Sequence, residues 1–238
     1  MTKAKAMIDQ KQQPIPSSSE SGFTIIESLV AIIVVSILLA AISPVIVLSV
    51  ATRVQAKRVE LATEAAKIYV EGLRTKTIPA PPIAVRDATA TADPSSPDPP
   101  SGTLSCSTTG VCSISPTTTS SQLFCVDGDT GGCTNSRDMV IQAFGYNSSS
   151  TDFQKGYKLG LRVYRADAFK SGITLKASKD SNVKLQQTFT GGTGLRSLQA
   201  PLVEITTEIS HGTTTFSDFC DRLKLPANGS NINAQSQC

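Results

Sequence analysis

Chemistry is expected first at the Gly22–Phe23 junction and at Glu27, four residues beyond Phe23. The polar stretch 1–22 carries Lys3, Lys5 and Lys11 together with Asp9 and Glu20, and the text then changes abruptly to FTIIESLVAIIVVSILLAAISPVIVLSV, which ends at Val50. A secretory signal peptide has a short apolar region with its small-residue cleavage site behind it; here the apolar run is longer, and the small residues Ser21 and Gly22 stand in front of it. Hydrolysis there removes the basic leader, keeps the apolar run and creates an amine on Phe23. A carboxylate inside an apolar stretch is costly and usually has a partner or a job. Glu27 lies about one helical turn from that amine, a spacing at which it can pair with the amine of a neighbouring copy during assembly. The plainer reading is a carboxylate at the interfacial edge that snorkels to water.

The remaining candidates are weaker. Cys106, Cys112, Cys125, Cys133, Cys220 and Cys238 all follow the apolar run. That placement fits a C-terminal part exported to an oxidising space. The short separations favour Cys106 with Cys112 and Cys125 with Cys133, leaving Cys220 for Cys238. A structural zinc site is disfavoured, because no CxxC pair occurs and His211 is the only histidine. His211, followed by Gly212, reads as a turn residue without a serine and carboxylate to make it catalytic. Gly191-Gly192-Thr193-Gly194-Leu195 lacks the rest of a phosphate-binding loop and reads as a turn. Asp127-Gly128-Asp129-Thr130-Gly131-Gly132 has too few oxygen ligands for an EF-hand and reads as a plain turn, with a calcium-stabilised one as the sharper alternative. No catalytic residue, cofactor or metal is expected.

The elements that position these residues follow from periodicity. The 28 residues from Phe23 to Val50 make a helix of roughly 42 Å, longer than a bilayer core of roughly 30 Å. Pro44 removes one intrahelical hydrogen bond and is expected to bend or open that helix. The helix continues over 51–74, where Val54, Leu61, Ala65, Ile68, Tyr69 and Leu73 recur at helical spacing, opposite Lys57, Glu60, Glu64, Lys67 and Glu71. Seven prolines within 75–105 predict an exposed linker or insertion. Strands are expected at 122–126, 139–144, 157–164, 173–177, 183–189 and 202–209. Leu159, Leu161 and Val163 share a face suited to the amphipathic half of the helix. The fold class is therefore α+β: a long N-terminal transmembrane and assembly helix packed against a small antiparallel β-sheet. The expected divisions are 1–22 leader, 23–50 membrane and assembly helix, 51–74 amphipathic continuation, 75–105 linker and 106–238 disulfide-containing extracellular body.

Charge narrows the partners. Lysine and arginine total 22 against 19 aspartate and glutamate, a formal +3, which does not predict nucleic-acid binding by the whole surface. Lys155, Lys158, Arg162, Arg165, Lys170, Lys176, Lys179 and Lys184 make one stretch locally basic. Either they scatter over a solvated sheet, the favoured reading, or they converge on an acidic polysaccharide or DNA. The lysine-bearing leader places the N-terminus in the cytoplasm and the cysteine-bearing part outside.

The run SGFTIIESLVAIIVVSIL, 21–38, closely resembles the processing site and helix of type IV pilins and pseudopilins. The resemblance implies cleavage after Gly22 and N-methylation of Phe23 by a prepilin peptidase. It also implies that Glu27 serves methylation and subunit docking, and that Pro44 is the proline at which many family helices bend or melt. Ser21 departs from the lysine or arginine that many family leaders place before the glycine. The implied partners are prepilin peptidase, other pilin-like subunits and the inner-membrane assembly platform. The implied location is the inner membrane, single-pass, and then a pilus or pseudopilus. YKLGLRVYRADAF, 157–169, and SDFCDRL, 217–223, resemble the minor pseudopilins that filamentous cyanobacteria use in hormogonium polysaccharide secretion. That implies a noncatalytic minor subunit supporting polysaccharide secretion or gliding motility. The rival is a membrane-anchored extracellular binding module or adhesin.

Overall fold

Ile and Val crowd the apolar run, and in water such β-branched residues are indifferent helix formers. In hydrocarbon the backbone must satisfy its own polar groups, and a helix is the way one segment does so. The computed structural model describes residues 22–85, 97–115, 121–148, 150–170, 172–177 and 198–223. In it, α1 runs over Ile25–Arg74. The chain divides within this helix into two compact units, Met1–Ser49 and Val50–Cys238.

In the first unit every described residue is exposed. Ile25 is 89% exposed and Ile37 64%, so this helix has no face turned to a core of its own. It is long and apolar enough to cross a membrane. Ser28 and Ser36 return their hydroxyls to the carbonyls of Thr24 and Ile32 at 3.4 and 2.7 Å, which conceals two polar groups within the helix. The helix does not open at Pro44, which stands inside it. The ring withholds only the N–H that the carbonyl of Ala40 would receive, and one missing bond is tolerated within a long run.

In the second unit α1 buries a stripe of small residues, Ala62, Ala65, Ala66 and Gly72, with Tyr69 and Leu73 filling the gaps. The helix ends in a Schellman turn: Thr77 N–H reaches Gly72 O at 2.9 Å and Lys76 N–H reaches Leu73 O at 3.3 Å. Lys76 takes the left-handed conformation this requires, with φ 61°. Gly72 lets the Ile78 side chain close on that turn: a Cβ there would stand 2.5 Å from Cδ1 of Ile78, which would have to shift.

The sheet comprises β1 (Ile83–Val85), β2 (Thr103–Cys106), β3 (Val111–Ser115), β4 (Gln122–Val126), β5 (Met139–Asn147), β6 (Tyr157–Arg165) and β7 (Val203–Ile209). Strands β2 to β7 lie in sequence order and pair antiparallel; β1 alone runs parallel, beside β5. Its α1-facing side carries Met139, Ile141, Ala143, Leu159, Leu161 and Val163. The expected face of β6 thus meets the amphipathic half of the helix, giving the α+β arrangement of a helix packed on an antiparallel sheet.

The other side of the sheet is covered as well. Val140 and Tyr164 pack there with Ala168, Phe169 and Leu175, and Tyr164 Oη donates to Lys176 O at 2.9 Å. Residues 173–177, expected as a strand, join no ladder. They are tied down by that tyrosine and by a bond from Lys176 N–H to Gln199 O at 2.8 Å. The proline-rich 75–105 stretch, read from its composition as an exposed connection, contributes β1 and most of β2, and Pro81 and Pro100 are buried. Arg162 holds part of it: its Nε donates to Glu204 Oε1 and its Nη1 to Pro97 O, both at 2.6 Å, and Gln142 Nε2 donates to Asp98 O at 2.7 Å. Besides β1 and β2, two further short elements were not foreseen: β3, and α2 over Phe216–Leu223. The strand expected at 183–189 and the tail 224–238 lie outside the described residues.

Candidate functional site

The start of α1 is built by Thr24. Its carbonyl receives Ser28 N–H at 3.1 Å and its hydroxyl receives Glu27 N–H at 3.3 Å, the two bonds of a helix N-cap. Gly22 and Phe23 precede the helix and lie outside it; Phe23 is 80% exposed. Thr24-Ile25-Ile26-Glu27 has the spacing of a capping box, a signal that sequence reasoning overlooked. At α2 the equivalent box is closed. Thr215 N–H and hydroxyl both donate to Asp218 Oδ2, at 2.9 and 2.6 Å, and Asp218 N–H returns to the Thr215 hydroxyl at 3.2 Å. These bonds hold the Asp218 carboxyl below the usual aspartate range. At α1 only half the box forms. The carboxylate of Glu27 has no hydrogen-bond or ion-pair partner among the described residues, and stands exposed among apolar side chains. It is available to another molecule.

The cysteines lie elsewhere. Cys106 is bonded to Cys112 across the β2–β3 hairpin, and Cys125 to Cys133 between the end of β4 and the turn that follows it. Cys220 is disulfide-bonded too, while Cys238, expected as its partner, lies outside the described residues.

Asp127, Asp129 and Asp138 bring carboxylate oxygens within 4.8 Å of one another. Those oxygens already receive backbone N–H groups: Asp127 from Asp129, Thr130 and Gly132, and Asp138 from Gly128, Thr134 and Asn135. The carboxylates shape the turn. The N–H groups of Asp129 and Gly132, and then of Thr130, hold the Asp127 carboxyl below the ordinary aspartate range. A lowered folded-state pKa stabilises at pH above the unfolded value of about 3.9 and is lost as pH falls through the folded value. A carbon-detected NMR titration should therefore give Asp127 a midpoint below about 3.9; a midpoint at or above it contradicts this turn.

The described members of the basic stretch differ in burial and pairing. Arg162 is buried, and Arg165 pairs with Asp167, whereas Lys155, Lys158 and Lys170 are exposed. Lys179 and Lys184 lie outside the described residues, as do Gly191-Gly192-Thr193-Gly194-Leu195 and the leader before Gly22. His211 precedes a turn, its ring edge-on to Phe153 at 5.3 Å. A cavity of about 620 Å³ is lined by Pro81, Ile83, Ile114, Gln122, Leu123 and Phe153, with the hydroxyls of Ser113, Ser121 and Thr151. Among its described lining no carboxylate, imidazole or amine stands ready to activate those hydroxyls.

The family model described as the prokaryotic N-terminal methylation motif matches residues 17–43. No curated protein and no solved structure matches the chain. The matched span covers Gly22, Phe23, the Thr24 cap and the unpartnered Glu27, and it links the N-terminus of this chain to the type IV pilin and prepilin family in general.

Proposed function

We propose that this chain is a noncatalytic minor subunit of a type IV pilus-like machine. It is made as a prepilin, cleaved after Gly22, N-methylated on Phe23 and held in the inner membrane by residues 23–50 with its disulfide-containing part outside. It then passes into a pilus or pseudopilus. The observation that carries this reading is the pairing of a wholly exposed apolar helix with one unpartnered carboxylate, Glu27, inside the span matched by the methylation motif. In a filament the helix surface is covered by neighbouring subunits through a head-to-tail contact that need not close on itself. Glu27 then meets the new amine of a neighbour's Phe23, a charge-assisted bond strengthened by the dry surroundings. Prepilin peptidase and the inner-membrane assembly platform are the partners this route requires, and ATP hydrolysis belongs to other components.

The resemblance of 157–169 and 217–223 to hormogonium pseudopilins favours polysaccharide secretion or gliding motility as the machine's task. An acidic polysaccharide would be met by the exposed Lys155, Lys158 and Lys170. The rival reading, an anchored binding module or adhesin, uses the helix only as a tether.

Mass spectrometry of the mature N-terminus, in the native host and in a strain lacking prepilin peptidase, tests the route. A peptide beginning with N-methylated Phe23 that depends on the peptidase is the expected result. Retention of residues 1–22 in both strains would leave the tethered module as the better account.

A further inference from the structure

Helix α1 begins two residues after the junction at which cleavage is expected, and one side chain sets that boundary. Gly22 and Phe23 lie outside the helix, Thr24 caps it, and its hydroxyl takes the N–H of Glu27 at 3.3 Å. We propose that Thr24 is the positioning residue for processing: by ending the helix at its own position it keeps the Gly22–Phe23 peptide bond in non-helical chain, where a peptidase can grip it. This rests on the prepilin reading above.

The physical argument concerns where an apolar helix stops. The first four N–H groups of a helix have no partner within it, and near hydrocarbon an unmet donor is more costly than in water. A helix without a cap therefore gains by extending toward the next residue able to cap it, and upstream of Thr24 Ser21 offers a hydroxyl. Extension to Ser21 would draw Gly22 and Phe23 into the first turn. A peptide bond inside a helix is masked, because its N–H and C=O are committed along the axis and the backbone is curled away from the extended form in which binding clefts pair with a chain. Phe23 is 80% exposed, and a Cβ built on Gly22 meets nothing within 4 Å, so the chain on either side of the junction is open to an enzyme. In the reaction itself water adds across the peptide bond: the Gly22 carbonyl carbon gains the oxygen and leaves as a carboxylate, and the Phe23 nitrogen leaves as an amine.

The role predicts a particular kinetic signature. If the cap governs how much of the substrate is in the competent form, its loss raises the apparent KM in proportion to the competent fraction lost and leaves kcat alone. The loss typical of removing a hydroxyl cap corresponds to about a fivefold change.

The test uses the full-length chain in membranes or detergent with prepilin peptidase, comparing the unaltered chain with Thr24→Ala, Thr24→Val and Thr24→Ser. Valine keeps the branched shape and lacks the acceptor; serine keeps the acceptor. The expected result is a KM raised in the alanine and valine variants, by at most about the fivefold change in the helix-start equilibrium, with unchanged kcat and recovery in the serine variant. Hydrogen exchange of the Ile25 amide should accompany it: that N–H is one of the unpaired first-turn donors when the helix starts at Thr24 and gains the Ser21 carbonyl when it extends, so it slows in the alanine and valine variants and stays fast in the other two. Equal KM in all four chains, or a change confined to kcat, overturns the role of Thr24 and leaves the prepilin reading standing. Failure of the peptidase to cleave even the unaltered chain overturns both.

Discussion

With Glu27→Gln the chain is expected to be cleaved and membrane-bound as before, and to fall by about a hundredfold in the sheared filament fraction, the scale on which breaking a buried ion pair acts. Glutamine keeps the size of the side chain and most of its hydrogen-bonding reach, and removes the charge that an amine seeks. No hydrogen bond or ion pair within the described part of the chain is lost with it, so a folding defect is not the expected cause. The measurement is an immunoblot of filament and membrane fractions side by side. An unchanged filament fraction would favour the tethered module, which has no use for a charge at this position.

A loss of about 2–3 kcal/mol in folding stability is expected from Arg162→Met, the scale of hydrogen bonds to a charged group; Glu204, whose side chain is partly exposed, can turn to water, whereas the acceptors on Pro97 and Gln142 lose their donor. Arg162 is 2% exposed and donates at once to Glu204, Pro97 O and Gln142, while its guanidinium lies 5.1 Å from the centre of the Phe144 ring. Methionine fills comparable volume but provides no donor to three acceptors on three parts of the chain. Arg162→Lys recovers only part of the loss, since one ammonium cannot reproduce a planar fork spread over those partners. Urea unfolding of the full chain in detergent measures both. A loss below about 1 kcal/mol, the scale of an exposed ion pair, would mean that the clamp contributes little.

Residue by residue, legibility followed locality. The amphipathic half of α1 and strands β4 to β7 could be read because apolar side chains recur along them at helical or alternating spacing. Arg162 was misplaced for an instructive reason. Alternation in β6 sets it opposite Leu161 and Val163, on what a one-sided sheet would expose. Here that side is covered by 97–100, 166–170 and 172–177, and no feature local to β6 announces such a cover. Strands β1 to β3 escaped notice because they are short and rich in serine, threonine and proline neighbours; their pairing comes from distant residues. At the N-terminal site the sequence singled out the Gly22–Phe23 junction and Glu27, which lie within the matched span 17–43. The Thr24 cap was written in the spacing T-x-x-E and passed over beside the apolar run.

The two located disulfides bear on the order in which the chain matures. Their cysteines are separated by 6 and 8 residues, and loops of about 10 residues close in about 10–100 ns. Each pair therefore meets long before the nonlocal pairings of β1 with β5 and of β6 with β7, which are the slow part of folding such a topology. Oxidation of either pair needs no contact from the other or from the distant strands. The sulfurs thus come together early and bond later, because disulfide formation takes seconds to hours, and each bridge seals a contact that the chain has already made.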